Sequence, residues 1–315
     1  MQKIWYRYLK ILITIEEDDD LAQIGHEIKH SVLFKGANFW AMVFAIIIAC
    51  IGLNIGSKLA IIGAMILSPL MGPVYGISFG IIAQDMFLVK NATKNFLKII
   101  LISLFVSSIY FVITPLDLKS IEVDNFTSAS IFDILIAFFG GIAGFIAISR
   151  KNGERFLVGV SIATSCIPPI CASGYGISHG NFGLFFGGLY LFLINAFFIF
   201  LGSFMISLFM NIHKGRHFSK TFKWALIICI LVITLPSIFQ TNNTIKHVLF
   251  EQRAIQFVEK IEQEKNLYIL EKKIDKEHDV LHILYYGHFP KSILSSSYLD
   301  KFYLDSTQLV LIKIK

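Results

Sequence analysis

The amino-acid sequence predicts an all-α polytopic membrane protein with about seven transmembrane helices, arranged as two inverted three-helix repeats with broken second helices, plus a small C-terminal α/β domain. Three observations predict this fold class. Apolar residues make up 55% of the 315 residues and charged residues only 16%, whereas soluble domains carry about 25% charged residues. Seven segments reach or approach the roughly 20 apolar residues that a transmembrane helix needs. Two of these segments share a proline-containing pattern at an offset of 96 residues.

The N-terminal flank, residues 1–37, is predicted as a short strand and an amphipathic helix. The strand-like segment KILITI ends in the acidic run EEDDD. After it, four apolar residues fall along one side of a helix: Leu21, Ile24, Ile28 and Leu33. One apolar side beside a polar remainder is typical of helices that lie in the membrane interface. We therefore expect this helix to lie on the membrane surface before the first span.

The transmembrane domain is predicted to cover residues 38–240. Its first repeat spans residues 38–114, its second repeat spans residues 131–210, and an extra span follows at 224–240. The seven apolar segments are 38–56, 59–83, 97–114, 131–149, 156–177, 184–210 and 224–240. Because three is an odd number, two successive three-span groups enter the membrane from opposite sides. Two similar groups are then inverted repeats, an arrangement common in secondary transporters.

Basic residues in the loops set the predicted orientation. The opposite loops before the last span hold only Lys58 and Lys119. Twelve basic residues lie on the face shared with the N-terminus, namely Lys29, Lys35, Lys90, Lys94, Lys98, Arg150, Lys151, Arg155, Lys214, Arg216, Lys220 and Lys223. Because basic loops stay in the cytoplasm, the N-terminus is predicted to be cytoplasmic. Seven spans then place the C-terminal domain on the extracytoplasmic side.

The repeated pattern lies in the second span of each group. Residues 61–81 read IIGAMILSPLMGPVYGISFGI, and residues 157–177 read LVGVSIATSCIPPICASGYGI. The aligned pairs are Gly63 with Gly159, Ser68 with Thr164, Pro73 with Pro169, and Gly80 with Gly176. Interrupted helices at corresponding positions are the best sequence pointer to the binding site of a transporter.

Proline explains why these two spans should break. Pro69 and Pro73 in the first copy, like Pro168 and Pro169 in the second, lack an amide hydrogen and crowd the carbonyl one turn earlier. Irregular backbone at membrane depth persists only against protein or around a water-filled cavity. The breaks are therefore predicted to face inward, where carbonyls and hydroxyls suit a cation and half-helix N-termini suit an anion. The structural alternative is that the prolines only kink the helices and the glycines only allow tight packing.

The predicted site lies between the two breaks, near the membrane midplane. Its residues are Ser68, Pro69, Gly72 and Pro73 in the first copy, and Thr164, Ser165, Pro168 and Pro169 in the second. The prolines and the glycine are expected to set the backbone, and the hydroxyls to supply ligands. Asn195, in the middle of the segment LFLINAFF, must find a polar partner within the bundle. An interhelical hydrogen bond and a contact with substrate are the two interpretations of this residue.

Ionisable residues are nearly absent from the predicted spans. Asp85 follows the second span and is predicted to cap a helix or to form a salt bridge at the cytoplasmic face. Asp133 is predicted to open the fourth span, where a carboxylate complements the helix dipole. A proton relay through buried carboxylates is therefore disfavoured.

No metal site, cofactor or enzymatic activity is predicted. The sequence contains no phosphate-binding loop, dinucleotide fingerprint, nucleophile elbow or zinc-protease helix. A pI near 9 reflects lysines and arginines on one membrane face, so no nucleic-acid partner is expected. Without a complete ligand set, three pairs of histidines at helical spacing are interpreted as solvated surface residues: His26 with His30, His213 with His217, and His278 with His282.

The C-terminal region, residues 245–315, has a different composition and is predicted as a separate α/β domain. The segments LYIL, DVLHILYY and QLVLIKI resemble strands, and ILSSSYLDKFYL resembles a helix between the last two. Apolar residues at helical spacing precede them, namely Ile245, Val248, Leu249, Ile255, Val258 and Ile261. The order α-β-β-α-β fits a compact α/β sandwich. About 70 residues are marginal for independent stability, so we expect docking to another subunit or to the membrane core.

The motifs of the two repeated segments resemble those of a known family. The pattern GAM-x3-PLMGP, followed by IAT-x3-PP, is similar to the signature of the membrane proteins catalogued as domain of unknown function 389. FDILIAFFGGIAGFIAI and LFLINAFFIFLG resemble further blocks of that family in the same order, so the resemblance covers roughly residues 38–210. It implies a bacterial multi-pass protein of the inner membrane and no defined activity.

Two functional hypotheses follow from the sequence. The first is a transporter or channel-like protein in the lipid bilayer, whose cargo is a small ion or a small polar solute because few charges exist to hold a larger ionic one. The second is a non-transporting membrane sensor or oligomeric assembly platform that acts through its terminal domains. Faces of small residues and the marginal C-terminal domain favour a homo-oligomer in either case.

Overall fold

The computed structural model of the chain describes residues 21–114, 121–149, 166–210, 220–262, 267–275, 280–287 and 309–313. The described helices are α1 (Leu21–Val32), α2 (Ala37–Ile55), α3 (Lys58–Leu67), α4 (Met71–Ala83), α5 (Met86–Ile113), α6 (Ile121–Asn125), α7 (Ile131–Ile148), α8 (Ile167–Ser178), α9 (Phe182–Phe209) and α10 (Lys220–Glu262). The described strands are β1 (Leu267–Asp275), β2 (Val280–Gly287) and β3 (Leu309–Lys313). The chain divides into two compact units, residues 1–237 and 238–315.

The first unit is a bundle of apolar helices. Within the described residues, four helices (α2, α5, α7 and α9) are long and apolar enough to span a membrane, or five spans if the bent pair α3 and α4 counts as one. A shorter apolar stretch, Leu226–Ile238, lies within α10. The sequence expectation of a helical membrane protein is confirmed at this level.

Helix α5 has one face buried in the bundle and one exposed apolar face. Ile99, Ser103, Ser107 and Phe111 recur every four residues and are buried. The opposite side carries exposed Leu101, Phe105, Ile109 and Val112. An apolar face exposed along the length of a helix is stable only against lipid or another apolar surface. The helix begins at Met86 rather than near residue 97, because Asp85 caps it, and its first three turns therefore carry lysines.

Helix α1 has the predicted apolar side, and protein covers that side. Ile24, Ile28 and Val32 are buried, and α1 packs against α4 and α5. Gly25 approaches the ring of Phe79, and the side chain of Val32 lies against Gly76. The apolar side expected to face the membrane interface therefore faces α4, because small residues on α4 let the two helices come close.

Two glycines bring α7 and α9 together. A Cβ atom added at Gly141 would overlap the backbone of Ile199, and one added at Gly202 would overlap the carbonyl oxygen of Phe138. The backbones of the two helices are therefore in direct contact, which only small residues permit. Gly141 belongs to the glycine-rich segment GGIAG, residues 140–144, and serves helix packing. At the start of α7, Ser130 and Asp133 form a capping box, as predicted for Asp133.

Helix α10 continues through the predicted last span into the predicted C-terminal helix without a break. Pro236 lies inside it and interrupts the regular carbonyl pairing of the preceding turn. The Tyr190 hydroxyl donates to the carbonyl oxygen of Ile233 at 2.9 Å and lies 3.2 Å from the Ser237 hydroxyl. Helix α9 thus supplies a polar contact to the turn that contains Pro236.

The second unit contains the end of α10 and a three-stranded sheet in the order β1-β2-β3. Strands β1 and β2 are antiparallel, with Tyr268 opposite Tyr286. Strands β2 and β3 are parallel, with Ile283 opposite Leu311, and a parallel pair needs a crossover connection. The strands lie where the sequence predicts them. The predicted helix between the last two falls in residues 288–308, outside the described residues.

Candidate binding site at a helix break

The second predicted span of the first repeat is interrupted between α3 and α4, which are bent by 45° at the break. Ser68 is extended, with φ −82° and ψ 124°, which is the conformation that a following proline imposes. Its amide donates to the Met65 carbonyl at 3.4 Å, and its hydroxyl accepts a hydrogen bond from the Leu70 amide at 3.3 Å. The predicted interruption is therefore present, and Pro69 lies in it.

The remaining prolines of the predicted site lie in the first turns of α4 and α8. Pro73 is the third residue of α4, and Pro169 is the third residue of α8, directly after Pro168. The first amides of a helix have no intrahelical partner, so a proline there removes no hydrogen bond. These prolines therefore mark the starts of two matched helices. Thr164 and Ser165, the predicted hydroxyl ligands of the second copy, lie outside the described residues.

The described parts of the two copies come together at the level of helices. Helix α8 packs against α3, the half-helix that precedes the break. Helix α4 packs against α9, which carries the buried Asn195. The predicted residues thus belong to neighbouring helices of one bundle.

Gly72 has a packing contact on the outer side of the break. A Cβ atom at this position would overlap the carbonyl oxygen of Ser31, near the end of α1. The same face of α4 carries Gly76, where a Cβ atom would overlap Val32. Gly72 therefore allows α1 to touch the beginning of α4, and this contact supports the structural interpretation of this glycine.

Two buried hydroxyls on α4 lie one to two turns beyond the break. Tyr75 is 1% exposed and Ser78 is 0% exposed. Neither the Tyr75 hydroxyl nor the Ser78 Oγ has a hydrogen-bond partner among the described residues. A buried hydroxyl without a partner costs about 1–3 kcal/mol, and two such groups three residues apart on one helix are uncommon. They mark a polar spot inside an apolar bundle.

The surroundings of Tyr75 belong to the second repeat. Its ring packs edge to face on the ring of Phe145 in α7, with the centroids 6.3 Å apart. The polar spot on α4 therefore lies beside α7, the first helix of the second predicted repeat. Sequence analysis missed Tyr75 and Ser78, although both belong to the repeated segment.

The hydroxyl at the corresponding depth of α8 is satisfied. The Ser173 hydroxyl lies 3.0 Å from the carbonyl oxygen of Phe185 and 3.2 Å from that of Pro169. The buried thiol of Cys171 lies 4.0 Å from the carbonyl oxygen of Ile46. These side chains have polar partners within the bundle and need no ligand.

The turns that follow α4 and α8 share their hydrogen bonds. The Asp85 amide donates to the Gly80 carbonyl at 2.9 Å, and the Asn181 amide donates to the Gly176 carbonyl at 2.8 Å. The side chain of Asp85 then caps α5 through the Leu88 amide at 3.0 Å. The side chain of Asn181 caps α9 in the same way, through the Leu184 amide at 3.1 Å.

The turn after α4 also carries a charge, the carboxylate of Asp85. This carboxylate lies 3.0 Å from the ammonium group of Lys29. The hydrogen bond from the Leu88 amide, and next the hydrogen bond from Lys29, lower the pKa of Asp85 below its ordinary value. Both predicted roles of Asp85, a helix cap and a salt bridge, are confirmed.

Comparison with known proteins supports the resemblance found in the sequence. An uncharacterized protein of the archaeon Methanocaldococcus jannaschii is 28% identical over 200 residues, which cover 63% of this chain and 62% of that protein. No solved structure matches the chain. Because this relative is archaeal, a bacterial origin stays a prediction. Residues 65–201, which include the break and α8, match a family model, and the chain therefore contains a domain of the family described as domain of unknown function (DUF389).

Proposed function

We propose that this protein is a transporter or channel-like membrane protein that binds a small ion or small polar solute between the two interrupted helices, near the membrane midplane. The observation that carries the proposal is the pair of buried hydroxyls of Tyr75 and Ser78, which have no partner among the described residues. They lie on α4 one to two turns beyond the break, and the ring of Tyr75 packs on Phe145 of α7.

The chemistry of this spot limits what it can bind. Helix α4 has no charged side chain, so a ligand there meets hydroxyls, backbone carbonyls and the N-terminal end of a helix dipole. Such groups suit a small ion that keeps part of its hydration, or a neutral polar solute. A large ionic cargo would need opposite charges in the bundle.

The matched helices support an inverted repeat. Helices α4 and α8 begin 96 residues apart, and α5 and α9 both contain 28 residues and also begin 96 residues apart. Packing is reciprocal, because α4 lies against α9 and α8 lies against α5. A two-fold relation between the repeats would produce this exchange of partners. Secondary transporters of this architecture bind substrate where their interrupted helices meet.

The wider topology is part of the proposal. The fifth span ends in α8, the seventh span lies in the apolar part of α10, and the N-terminus is cytoplasmic. The C-terminal region then forms a compact α/β domain outside the cytoplasm, and the protein assembles as a homo-oligomer in the inner membrane. The basic residues of the loops and the span count carry this orientation.

The contact between α1 and Gly72 favours a second candidate function. Because the end of α1 touches the beginning of α4, a movement of the N-terminal flank would move the broken helix directly. The protein would then be a membrane sensor or assembly platform, and the polar spot would hold water rather than cargo.

Flux into proteoliposomes tests the transport proposal. The probes are ²²Na⁺, ⁸⁶Rb⁺, ³⁶Cl⁻, a pH-sensitive dye and radiolabelled glycerol. We expect at least one probe to cross faster than in empty vesicles. Replacing both hydroxyls, Tyr75→Phe with Ser78→Ala, should reduce that flux about tenfold, because two hydrogen bonds of roughly 0.5–1.5 kcal/mol each are lost.

A matched control keeps the assay specific. Thr234 is a hydroxyl residue of α10 that donates to the carbonyl of Ile230 in its own helix at 2.8 Å, so Thr234→Ala should leave the flux unchanged. If no probe crosses, and if Ser68→Ala with Thr164→Ala changes only the binding of protein partners, transport is excluded and the sensor function stands.

A further inference from the structure

A basic groove lies between α1 and the first turns of α5. Its volume is about 500 Å³, which is within the range of roughly 300–1,000 Å³ for small-molecule sites. None of the described residues that line it carries a carboxyl group. Its polar lining consists of Lys29, Lys35, Lys94 and Lys98 with Asn91 and Asn95.

The sequence and one tertiary hydrogen bond bring these charges together. Asn91, Lys94 and Lys98 recur at spacings of three and four and so share one face of α5. The Asn95 side-chain amide donates to the Val32 carbonyl at 2.8 Å, which fixes the end of α1 against α5. Lys29 and Lys35 flank that end, so the same bond holds them beside the helix.

Among the described residues, the lysines of the groove have few acidic partners. Lys29 forms an ion pair with Asp85 at its edge. Among the described residues, no carboxylate within 4 Å pairs with Lys35, Lys94 or Lys98. Ammonium groups held around one concavity repel one another, and an anion placed between them removes that repulsion. The groove therefore has the charge and the shape of an anion site.

The border of the groove is apolar and exposed. Leu33 is 50% exposed and Phe87 is 76% exposed, and both line it. Basic side chains beside exposed apolar ones are typical of the headgroup level of a membrane. At the headgroup level of a membrane, phosphate is the anion that lysine binds. This phosphate belongs either to a lipid headgroup or to a molecule free in solution.

We propose that this groove binds a phosphate group, with Lys94 and Lys98 as its principal ligands. Lys35 and the Asn91 side chain complete the contacts, and Lys29, held by Asp85, closes one end. The bound species carries at least one phosphate, and the apolar border accommodates the chain of an anionic phospholipid. This site does not depend on the transport function, because it needs only a folded helix bundle.

Native mass spectrometry of the full-length protein in detergent tests the proposal with two lipids, phosphatidylglycerol and phosphatidylcholine. Both contain phosphate, but only the first has a net negative charge. Each lysine near an anionic surface contributes about a fivefold change in affinity. We therefore expect Lys94→Gln with Lys98→Gln to weaken phosphatidylglycerol binding roughly 25-fold and to abolish its preference over phosphatidylcholine.

A second double variant removes the same charge outside the groove. Lys90 is exposed on α5 and does not line the groove, and Lys58 pairs with Glu122. Lys90→Gln with Lys58→Gln should change phosphatidylglycerol binding less than about threefold. If the two double variants weaken binding equally, or if neither does, the groove is not the site and the proposal is overturned.

A titration with soluble phosphates tests whether the bound phosphate comes from a lipid or from solution. Inorganic phosphate and pyrophosphate are titrated against the delipidated protein, and the thermal unfolding midpoint is recorded. A rise that depends on Lys94 and Lys98, without preference for phosphatidylglycerol, assigns the site to a free phosphate. If the double variant fails to fold, Lys35→Gln alone should weaken binding about fivefold. Unchanged binding in that variant would overturn the proposal.

Discussion

The turns that follow α4 and α8 have the same backbone hydrogen bonds, but the buried residues of the two helices differ. Gly80 and Gly176 accept the same backbone hydrogen bond in that turn, and Asp85 and Asn181 cap α5 and α9 at equivalent positions. The hydrogen bonds and caps that both copies share are explained by the turn, in which the chain reverses its direction. A feature found in only one copy needs a different explanation.

The interiors show that difference at two matched positions. Tyr75 and Ser78 of α4 correspond, 96 residues later, to Cys171 and Gly174 of α8. The backbone at Gly174 lies close against Ser107, which only a glycine allows. The second copy is therefore closely packed at Gly174, whereas the two hydroxyls of the first copy have no partner among the described residues. The polar spot is thus particular to α4, the helix to which the proposed function assigns the ligand.

The largest expected effect is on stability, and it compares how closely the turn after α4 and the turn after α8 are packed. A Cβ atom at Gly176 would meet only backbone atoms, including the Phe185 amide nitrogen and the Asn181 carbonyl oxygen. At Gly80 the nearest atom is a side-chain methyl of Val89, at 2.8 Å. Gly176→Ala should lower the free energy of unfolding by about 2–3 kcal/mol and Gly80→Ala by about 1 kcal/mol. Unfolding in mixed detergent and dodecyl sulfate measures both.

A third glycine provides the control for this pair. Gly63 lies inside α3, and a Cβ atom there would have no neighbour within 4 Å. Gly63→Ala should stabilise the protein by about 0.5–1 kcal/mol, because alanine is the better helix former. Equal destabilisation by Gly80→Ala and Gly176→Ala would show that the two turns are packed alike.

The sequence predicted those parts of the fold that follow from local rules. Proline at position 69 predicts a broken helix, and the structure has one. Asp85 and Asp133 lie at helix starts because carboxylates accept orphan amides there, and both cap helices. The three strands lie in the segments that resemble strands in the sequence. Each of these features depends on residues within one turn of the chain.

Contacts between distant segments could not be predicted in this way. The apolar side of α1 fits a membrane interface as well as it fits α4, and only the close approach at Gly72 and Gly76 decides between them. Tyr75 and Ser78 resemble ordinary residues of an apolar span, and only the structure shows that neither hydroxyl has a partner in the described part of the chain. Single-sequence patterns report periodicity, whereas these two results depend on which helices meet.

The next prediction compares hydroxyls with and without partners. Tyr75→Phe removes a buried hydroxyl that bonds to no described residue, so the protein should keep its free energy of unfolding or gain up to about 1 kcal/mol. Ser173→Ala removes a hydroxyl that lies within hydrogen-bonding distance of two carbonyl oxygens and should cost about 1 kcal/mol. The same detergent unfolding assay measures both. A larger loss from Tyr75→Phe than from Ser173→Ala would mean that the Tyr75 hydroxyl has a structural partner.

The smallest effect distinguishes the two caps by their response to pH. The cap of α5 is a carboxylate and the cap of α9 is an amide, so only the Asp85 cap titrates. Because the pKa of Asp85 is lowered in the folded protein, its contribution to stability is fully present above the ordinary unfolded value, about 3.9. That contribution is lost as the pH falls through the lower folded value.

The variant Asp85→Asn isolates this contribution, because asparagine keeps the oxygen that accepts from the Leu88 amide but loses the ion pair with Lys29. We expect wild-type protein to exceed it in free energy of unfolding by about 0.3–1 kcal/mol near pH 6, and this difference should shrink as the pH falls below the unfolded value of about 3.9. The other carboxylates titrate in both proteins and cancel in the difference.

The reciprocal change Asn181→Asp should give the second copy a pH dependence of the same sign, since a carboxylate at the start of α9 also faces a helix N-terminus. A wild-type curve parallel to that of Asp85→Asn over this range would show that the charge on Asp85 contributes nothing to the turn.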